Sequence, residues 1–228
     1  MEKYPETATE RFDDANLHIK YCLSFLRKFI KGDVLEIGAG CGSFTKIYKQ
    51  NKLRSITLTE LDNKNINDLE NKFKDEKNIS IFKKKINDLD KTYDSIMYLH
   101  VLEHIKDDNK ELKEAALRLK KGGHLIIMAP AHQEIYSNLD KAVGHYRRYE
   151  KDFFKRNLAG LNRTKLISID TIGYFLYFFN KIFFKKEVFP SKLKIFLWDK
   201  FFTPITVIFD FILRYKFGKC FIAIYEKD

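Results

Sequence analysis

Residues 33–44 read DVLEIGAGCGSF, an apolar run closed by three glycines at alternate positions. Such a run reads as a buried strand that gives way to a loop lying close to something bound. Glycine suits that loop because it reaches left-handed backbone at little cost and lets the chain approach a ligand. Three kinds of ligand compete for a turn of this sort. A phosphate-cradling loop places lysine and then Ser or Thr directly after its glycines, whereas the first lysine here is Lys46. A dinucleotide turn repeats glycine as GxGxxG so that the next helix can face a pyrophosphate. Counted from Gly38 and Gly40, that third position is Ser43, and the glycine falls at Gly42 instead. Glu36, two residues before Gly38, would repel a pyrophosphate and attract a cation. The turn therefore predicts a ligand carrying positive charge.

The rest of the chain extends this turn into a fold. Leu17, Tyr21, Leu26 and Phe29 at near-helical spacing predict a leading helix over 14–30, capped by Asp13 or Asp14. After DVLEIG come a helical stretch at 43–52, a strand SITLTE, a helix at 63–75, and strands NISIFKKKI and YDSIMYLHV. A helix at 107–120 follows, with Lys121-Gly122-Gly123 as its C-terminal turn, then a strand HLIIMAPA. KDFFKRNLAGL reads as helix, RTKLISIDTI as a sixth strand and KCFIAIYEK as the last. Strands alternating with helices imply an α/β fold with a doubly wound, mainly parallel sheet, whose ligands sit outside the carboxyl ends of the strands. A chain of 228 residues supplies one core, so 1–228 reads as a single domain with an N-terminal helical segment at 1–31.

Several classes fall away on composition. No stretch approaches the ~20 apolar residues of a membrane-spanning helix, since IGYFLYFFNKIFF is broken by Asn180 and Lys181. The start, MEKYPETATERFDD, lacks the basic and apolar parts of a secretory signal, so the cytoplasm is the expected location. Cys22, Cys41 and Cys220 show neither CxxC nor CxH spacing, so neither a disulfide framework nor a metal site is assigned. A net charge of +11 favours an anionic partner such as nucleic acid, anionic lipid or a phosphorylated substrate. The joint richness in Lys, Asn, Ile and Phe is what AT-rich codons produce, which discounts that argument.

EIGAGCG resembles motif I, [DE]xGxGxG, of class I S-adenosylmethionine-dependent methyltransferases, whose cofactor carries an ammonium and a sulfonium and no phosphate. The resemblance implies a Rossmann-like sheet of seven strands with an antiparallel last strand. It also implies that Glu36, Gly38, Ala39, Gly40 and Gly42 hold the methionine and ribose parts of S-adenosylmethionine. Glu60 at the end of the second strand, beside Leu61, would accept the ribose hydroxyls. On the adenine side the family's acid aligns with Lys85 or Ile86, a departure that leaves Asp88 and the backbone of Ile86 and Asn87 as candidates. LHVLEHI resembles the segment leaving the fourth strand, where His100 would border the methionine end and His104 would brace the fold. These motifs span about residues 30–131 and speak to fold and cofactor, not to the acceptor.

The acceptor side begins at APAHQEIYSNLDKAVGHYRRY, which resembles a subgroup carrying PAH…GHYRRY that is linked to surface-glycan or lipid biosynthesis. His132 and His145 compete as the base that takes a hydroxyl proton. Arg147 and Arg148 would hold a phosphate or carboxylate and Tyr146 would orient the acceptor; equally, the arginines would staple the loop through Asp140. Residues 174–217 form an insertion before the last strand, holding nearly half of the chain's aromatic residues interspersed with lysines. Amphipathic helices packed as a cap account for it, and so does a membrane-facing surface, placing the chain peripherally at the inner face. The expected function is methyl transfer to a hydroxyl of a small-molecule, glycan, lipid-linked or other hydrophobic acceptor. The alternatives are an RNA methyltransferase, which brings nucleic acid in as partner, and a non-catalytic membrane-surface or scaffold protein retaining the fold.

Overall fold

The computed structural model of the chain describes residues 15–50, 52–156, 158, 160–183 and 191–228. Its strands are β1 (Asp33–Ile37), β2 (Ser55–Thr59), β3 (Ile79–Phe82), β4 (Tyr93–Leu99), β5 (Leu119–Pro130), β6 (Asn162–Ile169) and β7 (Cys220–Glu226). They form one sheet in the order β3-β2-β1-β4-β5-β7-β6, with β7 antiparallel to both neighbours. β1 is buried at every position, as a central parallel strand covered on both faces must be. Its alternation divides two cores: Val34 joins one, and Leu35 and Ile37 the other. Helices α1 (Asn16–Leu26) and α3 (Asn63–Phe73) cover the Val34 face through Leu23, Leu26, Leu69 and Phe73. The short helix α2 (Thr45–Tyr48) adds Tyr48 to that face. On the opposite face lie α4 (Asp108–Arg118) and α6 (Lys151–Lys155), which contribute Leu112, Ala115 and Phe154, while α5 (Asn138–Ala142) belongs to the connection from β5 to α6.

The expected sheet is present, and local departures have physical causes. α4 ends at Arg118 and passes straight into β5, so Gly122 and Gly123 lie inside a strand and do not cap a helix. The register of β5 on β4 shifts there, which is the usual meaning of glycine inside a strand. A Cβ on Gly123 would sit 2.7 Å from the Lys120 carbonyl oxygen. β6 stops at Ile169, Asp170 turns with φ +69°, and a helix begins at Thr171, so the insertion starts before residue 174. Among the described residues of KDFFKRNLAGL, the helix covers Lys151–Lys155.

Among the described residues, the insertion contains α7 (Thr171–Phe183), α8 (Lys192–Leu197), a π turn (Trp198–Phe202) and α9 (Thr203–Ile212). β6 ends and β7 begins beside the end of β5, so the cap grows from the edge where ligands are expected. It is locked to α1. Asp13 and Asp14 lie outside the described residues; the amides of Leu17 and His18 donate to Asp199 at 3.4 and 2.9 Å. Tyr21 donates to Asp210 at 2.8 Å, and the same carboxylate accepts the amides of Asp170 and Thr171, capping α7. Leu17, expected on the packed face, is exposed, whereas Ile19 and Cys22 are buried.

Candidate active site

The strand order reverses between β1 and β4, one leading to β2 and the other to β5. That reversal opens a crevice at their carboxyl ends, and the glycine turn lies in it. Gly38, Gly40 and Gly42 all adopt left-handed φ, at +63°, +56° and +77°. Close approach reinforces the requirement: a Cβ on Gly38 would meet Val101 Cγ2 at 2.9 Å, and one on Gly42 would meet Phe73 at 2.7 Å. The Ala39 amide donates to the Thr59 carbonyl at 3.0 Å, pinning the turn to the end of β2.

Two carboxylates brace this turn. Glu60 accepts from the amide of Gly40 at 2.8 Å and, through its other oxygen, from the amides of Leu61 and Asp62 at 2.7 and 3.0 Å. An ionised carboxylate offers about four acceptor sites, and three amides occupy three of them here, so room remains for one ligand hydroxyl. Glu36 is buried and accepts from Thr45 Oγ1 and Tyr48 Oη, both at 2.6 Å, through one oxygen. Burial pushes its carboxyl up to about 7, with those two hydroxyls holding it back. Thr45 and Tyr48 are partners that sequence reasoning missed; their signal is the i, i+3 spacing that turns both toward β1 from one face of α2.

The remaining cofactor candidates follow β3 and β4 along the chain. Ile86, Asn87 and Asp88 form a 3₁₀ turn, in which the Ile86 side chain is buried in the core. Asp88 is engaged by the Lys85 amide and the Asn87 carbonyl by Arg118. His100 follows β4 with φ +58°, its amide donating to the Met128 carbonyl at 2.8 Å and its ring partly exposed.

On the acceptor side the structure separates what the sequence grouped. Arg147 is committed to the start of α4, donating to Asp108 at 2.7 Å and to the Lys106 carbonyl. Arg148 is buried, donates to Asp140 at 2.9 Å and to the Ala131 carbonyl, and stacks over Tyr177. Both guanidiniums thus staple the loop to its surroundings. Tyr146 is exposed.

The two histidines stand in different surroundings. His132 has φ +66° and packs against Tyr174, Phe217 and Phe221, its Nε2 buried without a partner. His145 places Nδ1 2.8 Å from Asp140 and Nε2 3.8 Å from Glu103. Burial raises the Asp140 carboxyl, but His145, Arg148 and Tyr177 hold it well below the usual carboxylate range. Glu103, one turn beyond His100, is fully buried, and neither of its oxygens has a hydrogen-bond partner. Burial raises its carboxyl too, and the neighbouring His100, His145 and His104 bring it below the ordinary value. Burial pushes His104 down to about 4, so this ring is neutral near pH 7. Glu103 and Asp140 were not singled out as site residues; the signal for Asp140 is the SNLD sequence, a capping box from Ser137.

A family model described as a methyltransferase domain matches residues 11–166, which takes in β1 through β5, the glycine turn and the acceptor loop. No curated protein sequence matches the chain. Among solved structures, a SAM-dependent methyltransferase from Archaeoglobus fulgidus aligns with TM-score 0.62 at 18% identity, covering 96% of this chain and 97% of that one. The N-methyltransferase NodS from Bradyrhizobium japonicum WM9, in complex with S-adenosyl-L-homocysteine, aligns with TM-score 0.61 at 15% identity, covering 99% and 93%. An S-adenosylmethionine-dependent methyltransferase from Clostridium acetobutylicum gives 0.56 at 14%, covering 97% and 93%. At these identities the likeness is one of fold. With the family match across two thirds of its length and the glycine turn at the switch of strand order, the chain belongs to the class I S-adenosylmethionine-dependent methyltransferases.

Proposed function

We propose that the chain transfers the methyl group of S-adenosylmethionine to a hydroxyl of a lipid-borne or lipid-linked glycan acceptor met at a membrane surface. The observation that carries this reading is the outer face of the cap. Phe179, Phe196, Phe201, Phe211 and Ile212 are exposed there, on a segment that also bears Lys192, Lys194, Arg214 and Lys216. Exposed aromatic and basic residues together suit the headgroup boundary of an anionic bilayer, and this segment starts and ends at the ligand edge. Among the described residues no helix is long and apolar enough to cross a membrane, so such contact is made from one side.

In this reading the turn from Gly38 to Gly42 lets backbone approach the methionine and ribose parts, Glu60 accepts a ribose hydroxyl, and Glu36 favours the cationic end. Leu61, Ile86, Asn87, Asp88 and His100 line the adenine and methionine sides. The acceptor oxygen attacks the methyl carbon in line: the O–C bond forms, the S–C bond breaks, and its electron pair returns to sulfur, leaving S-adenosylhomocysteine. Positioning supplies much of the rate. The hydroxyl proton leaves at His145, whose Nδ1 contact with Asp140 at 2.8 Å orients the ring, in preference to His132, whose Nε2 is sealed among aromatic rings. Incubation with methyl-labelled cofactor and separated lipid, glycan and RNA fractions tests the reading. Label is expected in the lipid or lipid-linked fraction. Label confined to RNA would make the chain a nucleic-acid methyltransferase, and no label alongside retained vesicle binding would make it a surface protein that keeps the fold.

A further inference from the structure

Glu103 poses a problem that methyl transfer leaves unsolved. Its carboxylate is fully buried, and neither oxygen has a hydrogen-bond partner. The nearest ring nitrogens, His100 Nδ1 at 3.6 Å and His145 Nε2 at 3.8 Å, lie beyond hydrogen-bond range. A buried carboxylate without donors is costly unless something cationic fills the space beside it. The neighbours are arranged for that. Glu103, His104 and His145 each bring one ligand atom to within 4.8 Å of the others. His145 Nδ1 is 2.8 Å from Asp140 Oδ1, and His104 Nδ1 is 3.3 Å from the Gly144 carbonyl. Donation of Nδ1–H to these oxygens makes Nε2 the lone-pair nitrogen of each ring, the arrangement in which carboxylates and carbonyls orient metal-bound imidazoles.

We propose that Glu103, His104 and His145 bind a divalent first-row transition ion, such as Mn²⁺ or Zn²⁺, at the acceptor edge of the site. One carboxylate and two imidazoles suit such ions, and three protein ligands leave positions open, as in catalytic sites. The proposal rests on the methyl-transfer reading and changes only how the acceptor is activated. The ion takes the acceptor hydroxyl in an open position and acidifies it. The proton passes to solvent, the oxygen attacks the methyl carbon, and the ion is neither oxidised nor reduced. His145 then serves as a ligand and not as the base. The second grouping of this kind, His132 with Glu134 and Glu150, lacks the buried unpartnered carboxylate, because Glu134 and Glu150 are exposed and Glu150 already accepts the Gln133 amide.

Calorimetric titration of chelator-stripped, full-length protein with MnCl₂ and ZnCl₂ tests this, with S-adenosylmethionine titrated into the same samples. A single ion per chain is expected, weakened about tenfold or more by Glu103→Gln and by His145→Asn, and about tenfold by the orienting variant Asp140→Asn. His132→Asn should leave it unchanged. Cofactor binding by each variant reports that it has folded, and Asp140→Asn keeps every ligand if Glu103→Gln does not fold. Stripped protein that binds cofactor but neither ion overturns the metal inference alone, as does ion binding insensitive to these variants or lost in His132→Asn. Failure to bind cofactor overturns the methyl-transfer reading.

Discussion

At the scale of single residues, Glu36 couples the glycine turn to pH. Its carboxyl is buried beneath the turn and pushed up from 4.5 to about 7 by that burial, with Thr45 and Tyr48 donating to it. The folded chain therefore binds this proton more tightly than the unfolded chain does. The stabilisation is fully present below the unfolded value and is lost as pH rises through about 7. A gap of this size is worth about 3 kcal/mol. Glu36→Gln removes the titration, so its melting temperature relative to wild type should climb by several degrees between about pH 5 and about pH 8. Thermal unfolding of both proteins across that range checks this, and melting temperatures that run parallel would refute it. The acid and the glycine spacing are visible in EIGAGCG itself. The two hydroxyls on Glu36 are not, because their meeting depends on a helix that runs only from Thr45 to Tyr48.

Among the elements, α1 shows where local pattern stops informing. The helix is legible from its apolar spacing, but the side of it that packs is not, since Leu17 is exposed and Ile19 is buried. Its capping comes from Asp199 in the π turn, 181 residues away along the chain. Nothing local in either sequence announces that pairing, just as nothing in GHYRRY says that Arg147 reaches Asp108 and Arg148 reaches Asp140. In LKKGGH a glycine pair reads as a helix stop, and only the backbone bonds of Gly122 and Gly123 to Lys227, just past β7, carry it into a strand. Loss of a carboxylate cap costs about 1–2 kcal/mol. Asp199→Ala should accordingly lower the melting temperature by about 2–8 °C, and Asp199→Asn by less, because asparagine keeps an oxygen for one of the two amides. Equal melting temperatures for all three proteins, measured by calorimetry, would show that Asp199 does not hold α1 to the cap.

On the scale of the whole molecule, the alternation of strands and helices contained the sheet and its ligand edge, because each crossover is set by short-range periodicity. The cap has no such template, since its helices are apolar on more than one side and sequence alone does not say which side packs. In the structure Ile195 is buried, while Phe201, Phe211 and Ile212 are 60%, 70% and 64% exposed. This apolar face sits on a chain with net charge +11, a combination that favours an anionic bilayer over a neutral one. Wild-type protein is expected to co-sediment with vesicles containing phosphatidylglycerol, less with phosphatidylcholine alone, and less as salt is raised. Each of the three side chains contributes on the order of 1–2 kcal/mol when it enters the interface. The triple change of Phe201, Phe211 and Ile212 to Ser should therefore reduce partitioning by about 100-fold or more. Cofactor binding should survive that change, because none of the three side chains belongs to the glycine turn or to the acceptor loop. Folded wild-type protein that stays in the supernatant with anionic vesicles at low salt would rule out the membrane-facing cap.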